Sequence, residues 1–181
     1  DGIRVYNISV VGDVLYLDVT DTRGKDLRLI SSLDSELWTY DPFADEPNIT
    51  KICSAENGLI FGGGVTEFQG SVYFTVIQGE GYVASLWKTD GTLEGTVLVE
   101  DGDVGASYFS VVEFVPTAKT LFFTGWDEIR GLELWKTDGT DEGTFVVRDI
   151  IPGVNSSVTY VLGEFRGELY LSLFDYDSGF D

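Results

Sequence analysis

The chain has 181 residues, 43% of them apolar and 14% aromatic, enough to bury a core and far from the make-up of a disordered tract. It contains no His, no Met and a single Cys, which removes imidazole bases and proton shuttles, the common zinc sites and any internal disulfide. Lys and Arg total 11 against 31 Asp and Glu, a net charge of -20 that repels phosphate backbones and anionic lipid; no apolar run approaches the roughly 18 residues of a membrane span. Neither nucleic acid nor membrane insertion is expected.

The first residues, Asp1-Gly2-Ile3-Arg4-Val5-Tyr6, read like the later run Glu142-Gly143-Thr144-Phe145-Val146-Val147, so residues 1–7 are expected to be a stray strand belonging to another unit. Leu15-Tyr16-Leu17 begins an apolar strand, Glu36-Leu37-Trp38 a second, and Ile49-Thr50-Lys51-Ile52-Cys53 alternates as a third, with Cys53 a small buried hydrophobe rather than a reactive thiol. The next unit follows the same plan: Val65 to Phe68 with its aromatic, a tight turn, Val72 to Val76, Leu86-Trp87, and Thr96 to Val99. Leu121 to Thr124, Leu134-Trp135 and Thr144 to Val147 form the third. Gly163 to Phe165 and Leu169 to Phe174 open a fourth.

Self-similarity is the strongest signal. Leu86 to Thr96 reads LWKTDGTLEGT and Leu134 to Thr144 reads LWKTDGTDEGT, with a weaker copy around Trp38. Trp38, Trp87 and Trp135 are spaced by 49 and 48 residues, a repeat of about 48. Asp-Gly and Glu-Gly pairs between the third and fourth strands supply residues that tolerate positive φ at a reversal. Both faces of the second strand in each unit are apolar, so each sheet must be covered on both sides, and stacking four-stranded sheets achieves that. The expected fold is all-β, a β-propeller-type tandem repeat of four-stranded blades, divided as residues 8–57, 58–106, 107–153 and a partial repeat at 154–181. Three arrangements suit the ragged ends: a small closed ring, part of a larger propeller, or an open end that borrows strands from a neighbouring copy.

The LWKTDGTxEGT run, with Val146-Val147-Arg148-Asp149-Ile150-Ile151-Pro152-Gly153 after it, resembles the tandem ELWxTDGTxxGTxxVxDIxPG repeats of large secreted or surface-attached proteins. The resemblance is close over residues 85–101 and 131–153 and weaker elsewhere. It implies a propeller-like fold and an extracellular place, and it implies no catalytic residues.

Candidate sites are few. Asn7, Asn48 and Asn155 each head an N-glycosylation sequon, where chance would place about 0.6 among the four Asn of the chain. Asp175, Asp177 and Asp181 alternate around Gly179 as a hard-cation loop would, calcium being the cation implied, although an Asx-stabilised turn needs the same residues. The recurring Trp residues are expected to fill space between blades, whereas Trp126, outside the repeat position and placed on a connecting loop, is the candidate ligand contact. Catalysis would have to use carboxylates alone, and the six Arg are scattered rather than clustered for an acidic sugar. The reading is a non-enzymatic, secreted and glycosylated structural or adhesive repeat module of an extracellular or cell-surface assembly, with copies of itself or other surface proteins as partners and polymerisation head to tail by strand addition. The alternative is a carbohydrate-binding, less readily a carbohydrate-cleaving, propeller.

Overall fold

A computed structural model of the chain describes residues 2–21, 35–44, 48–54, 59–78, 83–100, 114–154, 158–166, 168–175 and 179–180. Every regular element among them is a strand, and the strands form four antiparallel sheets in chain order. The first sheet is β1 (Ile3–Val11), β2 (Val14–Asp21), β3 (Ser35–Asp41) and β4 (Asn48–Cys53). The second is β5 (Ile60–Phe68), β6 (Ser71–Gln78), β7 (Val83–Thr89) and β8 (Val97–Glu100). The third comprises β9 (Phe114–Pro116), β10 (Leu121–Asp127), β11 (Gly131–Thr137) and β12 (Phe145–Arg148), and the fourth β13 (Val158–Phe165), β14 (Glu168–Asp175) and β15 (Gly179–Phe180). Each sheet is a meander, so each strand pairs with its neighbour in sequence. Among the described residues the sheets form no closed barrel or ring.

The expected stray strand at residues 1–7 is not separate. Residues 3–11 run as one strand paired to β2, from Ile3 opposite Asp21 to Val11 opposite Val14, and the boundary drawn at residue 8 falls inside it. The reason is local. A turn at Gly12-Asp13 reverses the chain, and a bulge between Val5 and Asn7 absorbs one residue so that pairing continues past it. Likeness to the Phe145–Arg148 strand reflects a common apolar alternation, which does not specify position within a sheet.

β6 shows why both faces of the second strand are apolar. Val72, Phe74 and Val76 point to the first sheet and pack with Tyr16, Leu37, Ile52 and Cys53. Tyr73, on the opposite face, packs with Phe68, Leu86 and Val99 of its own sheet and with Leu121 and Phe123 of the third. Two cores therefore lie between sheets, one on each side of the second. Fully burying a side chain the size of Phe74 contributes about 1.5–3 kcal/mol, so a strand buried on both faces dominates the stability of its sheet.

Candidate functional site: the joint between sheets

The segment Thr89 to Thr96 joins β7 to β8 and is tied by its own side chains. Asp90 Oδ1 accepts from the backbone N–H and the hydroxyl of Thr92, at 2.9 and 2.7 Å. The Thr92 hydroxyl oxygen accepts from Gly95 N at 3.0 Å, and Thr96 Oγ1 donates to Thr92 O at 2.6 Å. Gly91 N donates to Thr89 Oγ1 at 3.0 Å, and the Thr89 and Thr96 hydroxyls lie 2.8 Å apart. The segment Thr137 to Thr144 repeats the set, with Asp138 held by Thr140 at 3.0 and 2.7 Å. The Thr92 hydroxyl, followed by its backbone N–H, holds the Asp90 carboxyl below its ordinary pKa, and Thr140 does the same for Asp138.

The two glycines of this segment serve different ends. Gly91 and Gly139 have φ of +96° and +97°, as an Asp-Gly reversal predicts. The Glu-Gly glycines, Gly95 and Gly143, are not in the positive-φ region, which corrects the reading that they too are there for backbone freedom. A Cβ on either would run into the Asp90 or Asp138 carboxylate, so glycine is needed for space.

Each such turn docks on the sheet before it. A Cβ at Gly91 would lie 3.3 Å from Tyr16 Oη, and one at Gly139 would lie 2.5 Å from Tyr73 Oη. The Thr39 hydroxyl donates to Gly91 O at 3.4 Å and Lys88 Nζ to Gly139 O at 2.8 Å, both reaching across sheets. Burial raises the pKa of the two phenols, and the neighbouring Asp90 and Asp138 charges raise it further. A joint thus has an apolar centre, from strands β6 and β10 and the cores on them, and a polar edge where the turn meets Tyr.

Two of the three repeated Trp residues belong to the same joints. Trp87 packs on the core between the first and second sheets, and Trp135 on that between the second and third, where it stacks on Phe123 at 6.4 Å and 28°. Trp38 is buried, its indole N–H donating to Glu36 Oε2 at 2.7 Å and its ring covered by Lys51 Nζ at 5.3 Å. Trp87 donates to Ser85 Oγ at 2.9 Å, so at Trp38 and Trp87 the residue two before Trp carries the acceptor. Glu36 also pairs with Lys51 at 3.4 Å.

The other candidates are dispersed. Asn7 is exposed within β1 and Asn48 is exposed at the first residue of β4, 3.5 Å from the Thr50 hydroxyl of its sequon. Asn155 lies outside the described residues. Asp175 ends β14, its backbone opposite Gly179, while Asp177 and Asp181 lie outside the described residues. No group of three or more His, Cys, Asp or Glu is placed to hold a metal ion among the described residues. Trp126 is inside β10, opposite Leu132, and not on a loop: the strand continues to Asp127, where the chain turns. That turn is closed by Asp127, which accepts from Ile129 N at 2.8 Å and Arg130 N at 2.7 Å and pairs with the Arg130 guanidinium at 2.6 Å. Burial pushes the Asp127 carboxyl up, but these donors outweigh it and hold the pKa below the ordinary value. Burial, with Glu36 adding to it, drives the Cys53 thiol far above its usual pKa, and its Sγ lies 3.1 Å from Leu59 O.

Comparison of the chain with protein-family models, curated proteins and solved structures returns no match.

Sequence reasoning missed Tyr16 and Tyr73 as docking groups. The signal was present: Leu15-Tyr16-Leu17, Val72-Tyr73-Phe74 and Leu169-Tyr170-Leu171 place a phenol at one position of the second strand, with Phe122 the exception. The phenol oxygens of Tyr16 and Tyr73 lie against the glycine turn one repeat later.

Proposed function

We propose that this protein is a non-enzymatic, secreted and glycosylated structural or adhesive repeat module of an extracellular or cell-surface assembly, its sheets stacked as propeller-type blades. One observation carries the reading: the recurring side chains are spent on framework. Asp90, Asp138 and the threonines around them fold the turns, the turns lock onto Tyr16 and Tyr73, and Trp87 and Trp135 fill the joints. A repeat whose defining residues hold neighbour to neighbour leaves its outer surface to present, and exposed Asn7 and Asn48 offer positions where a glycan would not disturb a core.

The test is fractionation of the source cells with an antibody to this chain, followed by N-glycanase treatment and intact-mass measurement. Recovery from the medium or the cell surface, with a mass drop on treatment, is the expected result. Recovery from the cell interior without a mass change would refute the proposal.

A second reading, carbohydrate binding, rests on Trp126, which is half-exposed on β10. Glycan-array binding that disappears on Trp126→Ala would favour it over a purely structural role.

A further inference from the structure

The chain leaves the fourth strand of one sheet for the first strand of the next, so the first and fourth strands of each four-stranded sheet are its edges. An edge presents a row of unpaired N–H and C=O groups on which another chain can add a strand, and short length or a broken register discourages that. The second and third sheets have such protection. β8 and β12 are 4 residues long and β9 is 3, while β5 is interrupted by register shifts between Phe61 and Gly63 and again between Gly63 and Thr66.

The first sheet has longer edges. β1 is 9 residues long, and its Ile3, Val5, Tyr6, Ile8 and Val10 are between 44% and 67% exposed. β4 extends past its counterparts. Thr50 pairs with Thr39 one residue after Trp38, as Val97 pairs with Lys88 and Phe145 with Lys136, and there β8 and β12 begin; β4 also pairs Ile49 with Tyr40 and Asn48 with Asp41. The reason is in the sequence, where Thr50 follows Trp38 by 12 positions and Val97 follows Trp87 by 10. Both of these edges carry a sequon. Asn48-Ile49-Thr50 begins on the added pairs, and Asn7-Ile8-Ser9 lies in the middle of β1. Each Asn is exposed with its amide oxygen engaged, Asn7 Oδ1 by Ile8 N at 2.9 Å and Asn48 Oδ1 by the Thr50 hydroxyl at 3.5 Å. The amide nitrogen, which takes the sugar, is the other branch of each side chain. Asn155, outside the described residues, precedes by three positions the first residue of β13, an edge of the fourth sheet.

We propose that N-linked glycans on Asn7 and Asn48 guard the two edges of the first sheet, keeping strands of other chains from pairing with β1 and β4. The inference rests on the glycosylated-module reading and gives the glycans a task. Attachment forms a bond from the Asn Nδ2 to the anomeric carbon of an oligosaccharide, breaks that carbon's bond to the pyrophosphate of a lipid-linked donor, and releases one amide proton. A branched, hydrated sugar chain rooted on an outer strand then occupies the approach that an incoming strand needs. Strand addition, which a bare apolar edge invites, is closed at both sides of the sheet. The sheets whose edges are short or broken need no such cover, and no sequon lies on their strands.

The test uses the full chain secreted by a glycosylating eukaryotic culture, unaltered and in two double variants. Asn7→Gln with Asn48→Gln removes both acceptors. Ser9→Ala with Thr50→Val keeps both Asn and removes the sequon hydroxyls, and it serves should the first pair fail to fold. Sedimentation over a concentration series at about 0.3 M salt, which screens the repulsion between copies of net charge -20, reads association. Either variant is expected to associate at a concentration about tenfold or more below that of the unaltered chain. Backbone amides of β1 and β4 are expected to exchange more slowly in the associated form than in the monomer. Adding Ile8→Glu and Ile49→Glu to the Gln pair places like charges on both edges and is expected to restore dispersal. Association unchanged by loss of the glycans, or association that leaves exchange in β1 and β4 as fast as in the monomer, would overturn the edge proposal and leave glycosylation standing. An intact mass showing no sugar on the unaltered chain would overturn both.

Discussion

Tyr73 and Gly139, from neighbouring sheets, approach so closely that a methyl group on Gly139 would sit 2.5 Å from the phenol oxygen. Gly139 also has φ +97°, so an L side chain there meets backbone strain and a clash together. Gly139→Ala is expected to cost about 1–3 kcal/mol in urea unfolding. Gly91→Ala has the same backbone strain but a looser approach, 3.3 Å to Tyr16 Oη, and should cost less. Combining Gly139→Ala with Tyr73→Phe should recover part of the loss, a coupling of about 0.5 kcal/mol or more; strict additivity would show that the two do not touch.

The phenols make stability depend on pH at the alkaline end. Their pKa values are raised in the folded protein by burial and then by Asp90 and Asp138. A raised folded pKa means stabilisation that is complete below the unfolded value, near pH 10, and is lost as pH rises through the folded value. Melting temperature should fall over that window, and Tyr16→Phe with Tyr73→Phe should flatten the fall. An alkaline profile identical in the double variant would place the titrating groups elsewhere.

The turn carboxylates act at the acid end with the opposite sign. Asp90 and Asp138 have lowered pKa values, chiefly through the Thr92 and Thr140 hydroxyls. Their stabilisation is present above the unfolded carboxyl value, near pH 4, and is lost as pH falls through the lowered folded value. Thr92→Val with Thr140→Val should lower stability at neutral pH and shrink its further decline in acid. Both carboxylates are solvent-facing, so the effect is expected to be smaller in high salt.

Cys53 should be inert. Its thiol is buried, burial and then Glu36 raise its pKa, and little thiolate exists at neutral pH to react. Maleimide should label it only on unfolding, at the rate that an independent probe reports for unfolding. Rapid labelling of the native protein would mean that β4 opens locally.

The amino-acid sequence by itself determined the strands and their grouping. The doubly apolar second strand, the Trp spacing and the Asp-Gly turns are local signals, and they place β6 to β8 and β10 to β12 where the structure has them, while β5 starts at Ile60, ahead of the expected Val65. The doubly apolar strand required cover on both faces, and β6 has it from Tyr16 and Leu37 on one side and Leu121 and Phe123 on the other. Tertiary structure decided the rest. Residues 3–11 joined β2 because a turn and a bulge allow pairing that apolar content alone cannot assign, and Trp126 fell inside β10 because hydrogen bonding to β11 runs to Asp127. Gly95 and Gly143 share their letter with Gly91 and Gly139 but are needed for the space a carboxylate takes, and that contact is visible only once the turn has closed. The pairing of Tyr16 with Gly91 and of Tyr73 with Gly139 joins residues 75 and 66 apart in the chain. No periodicity encodes such a contact, because it depends on how one sheet is rotated over the next, and that rotation is set by packing across the whole joint.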